Sequence, residues 1–482
     1  MSTSFFDRIK VPHVFTLLTG VIFLGTLLTY IIPSGTYQRE TKEIGGTTRT
    51  IVIPGSYQQT DKHLSLKGVI LGEEVEGKTT PASLHNFLTA IPRGLEQAAD
   101  IIFFIFIIGG VFGILQRAGT INAVIHKLLE KFGHSGVALT IILMSVFALG
   151  GSTLGMGEEF IPLVPIILLV SKELGYDRIY GLAMVMLAAD VGFAAATTNP
   201  FNVIVAQGIS ELPLYSGMWL RLIFFLVILA VTVTFVVRYG RKIKKDPSAS
   251  IMADDKFELE GQKIEQQEFT KSHIWIVLIC GAIFVFILYA VQTQGWWMAD
   301  MGGGFFLMGI VATIISRISV AEATKSFVKG MEGMVVAALV VGFARGIQVI
   351  FTDGQILDTI IYAAATTLSH VPLAIAAQGM LVFQTCLNLL IPSGSGQAAV
   401  TMPIMAPISD VIGLTRQTAV FAFQCGDGFS NMIIPTSGIL MAMLSLAKIP
   451  YQKWLKFVLP LFILLMVLSA IFLTFAVLIN YQ

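Results

Sequence analysis

Charge is what this sequence has least of. Only 13% of its 482 residues are Asp, Glu, Lys or Arg, about half the roughly 25% of an ordinary soluble domain. The signs nearly cancel, with 31 basic and 30 acidic residues, and no basic patch carries interleaved aromatics, so nucleic acid is not an expected partner. Cysteine is scarce. Cys280, Cys386 and Cys425 lie in apolar segments without metal-ligand spacing and read as reduced packing thiols. No HExxH and no nucleophile–base pair at plausible spacing is present, so a membrane-embedded hydrolase lacks its machinery and no catalytic residue is assigned. His13, His126 and His134 carry no catalytic role, and no metal site or resident cofactor is expected. A cleavable leader is not expected either: the run Val14 to Ile32 is too long for a signal core, and no small-x-small site follows.

Apolar residues are abundant, at 55%, and mean hydropathy is +0.79. A membrane helix needs about 20 predominantly apolar residues. Apolar spans recur near 14–33, 99–116, 136–149, 158–170, 179–207, 218–238, 273–293, 298–317, 333–350, 372–391, 397–412, 417–447 and 453–479. The third and fourth are too short to cross alone. Segments 119–133 and 354–370 are amphipathic and suit an interface or a connection. The expected fold is an all-α polytopic membrane protein, with lipid as its solvent.

Arg8 and Lys10 place the N-terminus in the cytoplasm by the positive-inside rule, and the polar stretch 34–86 is then external. The stretch 239–272 opens with RYGRKIKKD and is cytoplasmic. Residues 99–238 therefore run from outside to inside, and 333–479 start inside.

Those two stretches share an order: a span, an amphipathic piece, a hairpin with a glycine-rich tip, a long interrupted span and a last span. GMGEEFIPLVPI (155–166) resembles GSGQAAVTMPIMAPI (394–408), and AADVGFAAATTNP (188–200) resembles CGDGFSNMIIPTSG (425–438). Residues 117–131 hold Arg117, Lys127 and Lys131, whereas 351–371 hold no Lys or Arg. Similar units with opposite loop charge are the mark of inverted repeats in a secondary transporter. The expected divisions are 1–86, the first helix and external loop; 87–240, a repeat with a cytoplasmic-side hairpin; 241–272, a linker; 273–332, connecting helices; and 333–482, a repeat with an external-side hairpin.

Irregular backbone at membrane depth is tolerated only inside protein or around a watery cavity. GGSTLGMGEEF (150–160) and IPSGSGQ (391–397) thus read as the tips of re-entrant hairpins. Freed N–H groups at helix starts attract anions, and freed carbonyls suit cations. Each repeat also carries an interrupted helix, broken near Pro200 and Pro435. The substrate-binding candidates are Ser152, Thr153, Gly155, Gly157, Glu158 and Glu159 at one tip and Ser393, Gly394, Ser395, Gly396 and Gln397 at the other. Thr197, Thr198, Asn199, Asn431, Thr436 and Ser437 join them from the unwound stretches. Adjacent residues on a helix point about 100° apart, so at most one of Glu158 and Glu159 is expected to face a ligand. Asp190 and Asp427 occupy matching places and, with Arg345, are candidates for coupling-ion or charge roles. An internal pair of Arg345 with Asp427 or Glu159 is the competing reading.

Through KVPHVFTLL…YIIPSGTY (10–37), the GEEF tip and IPSGSGQAA, nearly the whole chain resembles the YfcC-like family. That family lies within the C4-dicarboxylate uptake C group of the wider ion transporter superfamily, which includes proteins described as arginine/ornithine antiporters. The resemblance implies two inverted repeats, paired re-entrant hairpins, unwound helices, elevator-like transport and often a homodimer in a bacterial inner membrane. Carboxylates outnumber bases near the breaks, which favours a basic amino acid such as arginine, ornithine or lysine. The alternative is a C4-dicarboxylate or other organic anion moved with Na⁺ or H⁺, favoured by Arg345 and the Ser/Gly tips. A passive channel is the remaining reading.

Overall fold

The computed structural model describes residues 14–44, 47–132, 135–255 and 268–482. Expectations resting on Arg8, Lys10, His13 and His134, and on linker residues 256–267, lie outside the described residues. Among the described residues, 8 helices are long and apolar enough to cross a membrane. The protein is a multi-pass helical membrane protein.

Helix α1 (Val14–Ile31) leads into strands β1 (Ser34–Thr36), β2 (Arg39–Ile44), β3 (Thr47–Val52) and β4 (Gln58–Lys62), the short α2 (Leu66–Leu71) and β5 (Lys78–Thr79). These strands amend the all-helical expectation. β2 and β3 form an antiparallel hairpin, and β4 lies between β1 and β5. The β-branched run TTRTIV of β3 suits a strand; its polar alternation reads as loop in a search for apolar spans. Asp358 holds the strands down: its carboxylate accepts from Arg39 at 2.8 Å and from the Tyr37 N–H at 2.8 Å.

A series of helices follows: α3 (Leu84–Gln97), α4 (Ala99–Arg117), α5 (Thr120–Phe132), α6 (Gly136–Leu154), a 3₁₀ turn Glu158–Leu163 running into α7 (Val164–Glu173), α8 (Arg178–Ala194), α9 (Val203–Ile209) and α10 (Met218–Lys245). Helices α11 (Lys271–Gln294) and α12 (Met298–Ser316) come next. A second series of the same order then runs through α13 (Val320–Glu332), α14 (Val335–Asp353), α15 (Leu357–Leu368), α16 (Leu373–Asn388), α17 (Gly394–Ile412), α18 (Arg416–Ser430), α19 (Gly438–Ala447) and α20 (Tyr451–Leu478). Matched members have matched lengths: α4 and α14 are 19 residues each, α10 and α20 are 28 each. The two series open with the amphipathic helices α3, from Leu84, and α13, from Val320, which a hydropathy reading passes over.

Packing is reciprocal between the series. Helix α3 lies on α14, and α13 lies on α4. Both contacts use glycines spaced four apart, Gly342 and Gly346 on α14 and Gly109 and Gly113 on α4, a spacing that lets helix backbones touch. A Cβ on Gly94 would stand 2.4 Å from the Gly342 carbonyl oxygen, and one on Gly330 would stand 2.2 Å from that of Gly109. Arginine–carboxylate pairs close both contacts: Arg93 with Asp353, whose second hydrogen bond is 2.9 Å, and Arg117 with Glu322 at 2.6 Å. Helices α10 and α20 run antiparallel, since Phe224 meets Phe472 (5.0 Å between ring centres) and Phe235 meets Phe457 (5.1 Å).

The core surrounds α8 and α18, which are buried almost throughout. Their Ala and Gly residues admit the hairpin arms: a Cβ on Gly192 would lie 2.2 Å from the Ala148 carbonyl oxygen of α6, and one on Gly426 2.8 Å from that of Leu381 on α16. Enclosed by protein rather than lipid, these helices can break and carry acids.

Candidate substrate site

Helix α6 stops because Gly155 adopts a left-handed conformation (φ 70°) and turns its N–H back to close the last turn. A side chain there would meet the Asn199 amide oxygen at 2.4 Å, so only glycine fits. The chain passes Met156 and Gly157 and enters the 3₁₀ turn that bears both glutamates. The second tip is built the other way round. Helix α17 starts at Gly394, and the Ser393 hydroxyl caps it by accepting from the Gly396 N–H at 3.3 Å. Opposite the tips the long helices come apart. Residues 195–202 separate α8 from α9 around Pro200, and 431–437 separate α18 from α19 around Pro435. Ser437 caps α19 by accepting from the Leu440 N–H at 3.4 Å.

These pieces enclose one cavity of about 200 Å³. Tip one gives it Gly155, Gly157, Glu158 and Glu159, tip two gives Ser393, Gly394 and Ser395, and the second unwound stretch gives Asn431, Thr436 and Ser437. Asp190 of α8 and Arg345 of α14 complete its charged wall.

Both glutamates line the cavity, contrary to the expectation that only one could. The segment is a 3₁₀ turn at the cavity floor, not a helix with one face inward. Glu159 also folds back on the tip, its carboxylate accepting from the Gly157 N–H at 2.9 Å. Arg345 donates to Gln348 at 2.7 Å and pairs with neither Asp427 nor Glu159 among the described residues. Its expected internal pair is therefore not formed. Asp427 instead accepts from Asn202 at 2.8 Å, outside the cavity wall.

Several sequence candidates stand behind the wall. The Ser152 carbonyl accepts from the N–H groups of Thr197 (3.0 Å) and Thr198 (3.2 Å), and the Ser152 hydroxyl bonds that of Thr197 at 3.1 Å. Thr198 donates to the Thr153 carbonyl at 3.2 Å, and the Asn199 amide oxygen accepts from the Phe201 N–H at 2.8 Å. These groups stitch tip one to the unwound stretch, where broken helices leave backbone groups to satisfy. Gln397 does likewise at tip two, donating to the Gln384 carbonyl at 2.9 Å, and Gly396 serves the Ser393 cap. All three cysteines are free, with Cys386 exposed and Cys425 buried.

Sequence reading missed the aromatic part of the wall. Phe193 and Phe201 line the cavity with Trp297, which meets Phe201 edge-on at 5.1 Å and donates to Asp100 at 3.0 Å. Tryptophan before a membrane helix ordinarily marks the interface, so no local signal separates this one.

The family model described as "C4-dicarboxylate anaerobic carrier" matches residues 11–478. The chain belongs to that carrier family. This carrier is 34% identical to the Escherichia coli K12 protein named "Putative basic amino acid antiporter YfcC", over 98% of each chain. It is 28% identical to an uncharacterized Haemophilus influenzae protein over 96% of each. A solved structure, the Alcanivorax borkumensis YdaH transporter, aligns over 98% of the carrier and 99% of its own chain at 16% identity, with a TM-score of 0.45. Family membership and the apolar helices make the protein a multi-pass membrane transporter.

Proposed function

We propose that the carrier moves a basic amino acid, arginine, ornithine or lysine, by elevator-type alternating access. One observation carries this reading: three carboxylates, Glu158, Glu159 and Asp190, and one guanidinium, Arg345, line a single cavity touched by both tips. The excess of acid suits a cationic side chain. Arg345, the tip-two hydroxyls and the N–H groups starting α17 suit the α-carboxylate. Phe193, Phe201 and Trp297 offer faces to the methylene stem and the cation. At about 200 Å³ the cavity is below the roughly 300–1,000 Å³ of pockets for drug-sized ligands, in keeping with one small metabolite. The name of the Escherichia coli relative supports the same substrate class.

In this reading the matched series, 84–245 and 320–478, are inverted repeats. Reciprocal packing and the antiparallel α10 and α20 support that relation. The hairpins and broken helices move together against a frame of α3, α4, α13 and α14. The carrier is a homodimer in a bacterial inner membrane, its N-terminus is cytoplasmic, and movement is coupled to exchange or to Na⁺ or H⁺.

A second reading, transport of a C4-dicarboxylate with a cation, is favoured by Arg345, which lines the cavity and forms no salt bridge among the described residues. Counterflow separates the two. Proteoliposomes loaded with ornithine should take up radiolabelled arginine, with lysine competing and fumarate not. Uptake of fumarate with no response to arginine would replace the first reading by the second.

A further inference from the structure

The strands β1–β5 have no counterpart in the second series: residues 32–83 separate α1 from α3, whereas only 317–319 separate α12 from α13. One part of this insertion is fastened to the frame. The Ser34 hydroxyl donates to the Gly354 carbonyl at 2.9 Å, the Gly35 N–H to the Gln355 carbonyl at 3.0 Å, and the Thr79 hydroxyl to the Gln355 side chain at 2.8 Å. Gly354 and Gln355 directly follow α14. Lys62 donates to the Thr29 and Ile32 carbonyls at the end of α1, and α1 packs on α14. The β2–β3 hairpin reaches the other way. β3 packs on α17, the helix that starts at tip two, and β2 reaches α9, beyond the first unwound stretch. Lys42 of β2 pairs with Glu211 across 3.8 Å, the two side chains 49% and 65% exposed. Exposed ion pairs add little, so this end of the grip is the weaker. The root of the hairpin is held between the two ends: Arg39 and the Tyr37 N–H bond Asp358 of α15, the Ile53 N–H donates to the Gln38 carbonyl at 2.8 Å, and Tyr57 stacks on Tyr362 of α15 with 4.2 Å between ring centres.

We propose that the β2–β3 hairpin is a conformational strap: rooted on α15 and anchored through β1, β4 and β5 to the end of α14, it holds α9 and α17 in the position seen here and releases them when the moving unit travels. The proposal rests on the transport reading above, in which α9 and α17 travel with the tips and α14 stays. Two related repeats give a carrier two related end states. A grip present on one face only removes their equivalence and favours the state in which the hairpin lies on α17. Release leaves the frame-side hydrogen bonds in place, because the side-chain contacts with α17 and Glu211 are the ones that can slip.

Distances between spin labels in the purified full-length protein, without substrate, test the strap. Labels go on exposed positions: Thr48 of β3, Thr352 of α14 and Val411 of α17, with Cys280 and Cys386 replaced by Ser. The expected result is one distance between Thr48 and Thr352, and two distances from Val411 to each of them. Replacing residues 42–49 by two glycines should raise the population at the second Thr352–Val411 distance. Should the shortened chain fail to fold, Lys42→Glu, which sets like charges at the Glu211 contact, should raise it about threefold, the scale of one exposed ion pair. Thr48 holding one distance to Val411 while Thr352 shows two would mean that the hairpin rides with the moving unit, and would overturn the strap. So would a population that neither variant shifts. A single Thr352–Val411 distance would remove the moving unit and the strap together. Uptake of fumarate in place of arginine, with the label distances as expected, would change the substrate and spare the strap.

Discussion

Gly330 presses so closely on Gly109 that a Cβ would stand 2.2 Å from the Gly109 carbonyl oxygen, and Gly94 meets Gly342 likewise at 2.4 Å. The contacts are counterparts, one on each side of the frame. In lipid such helix pairs depend on close backbone packing, because burying apolar surface gains nothing there. Gly330→Val and Gly94→Val should each destabilise the carrier by about 1–3 kcal/mol or more, the cost of overpacking. Lower yield and a lower unfolding midpoint in detergent would register this. Gly20 has open space around it, and Gly20→Val should leave both unchanged.

The acidic wall should divide by role. Glu158→Gln and Asp190→Asn should each lower arginine uptake at least tenfold, about 1.4 kcal/mol of lost interaction. Glu159→Gln should cost less, because the new amide oxygen can still accept from the Gly157 N–H. Initial rates in proteoliposomes check the ordering. Uptake unaffected by Glu158→Gln, Glu159→Gln and the double substitution would count heavily against a cationic substrate.

Arg345 should read the α-carboxylate. The native carrier is expected to reject agmatine, which keeps arginine's guanidinium but lacks its carboxylate. Arg345→Gln should weaken arginine binding by about 2–5 kcal/mol, the range for truncating one partner of a buried charge pair. Agmatine binding should change far less. Competition assays that left the preference intact would remove this role.

Movement should be stopped by tying α14 to α19. A Cβ on Gly438 would lie 3.1 Å from the Val341 Cα, so the two helices touch at this point. Cysteines at Val341 and Gly438, with exposed Cys386 replaced by Ser, should form a bridge that halts counterflow and restores it on reduction. Flux persisting through the bridged protein would favour a channel.

Much of the architecture can be read from residue patterns, since membrane helices announce themselves by long apolar runs and breaks by Gly and Pro. Pro200 and Pro435 lie in the stretches that interrupt the long helices, and residues of GMGEEF and IPSGSGQ line one cavity. The β-strands are hidden because TTRTIV gains its order from pairing with β2 and packing on α17, and α3 because its apolar stripe is intermittent. Within the site, residue type is not a guide to role. Ser152, Thr198, Asn199 and Gln397 are polar in a broken region, yet their hydrogen bonds go to neighbouring backbone and side chains. Trp297 reaches the wall only through the fold of the chain between the two series.

The most direct test is the sidedness of two matched positions. Lys127, on α5, and Thr366, its counterpart on α15, are both exposed. In cells, a cysteine at Lys127 should be blocked only by a membrane-permeant maleimide, and one at Thr366 also by an impermeant reagent added outside. That result is expected of two units threaded oppositely through the bilayer. Equal labelling of both from the same side would contradict it, and with it the carrier built on converging tips.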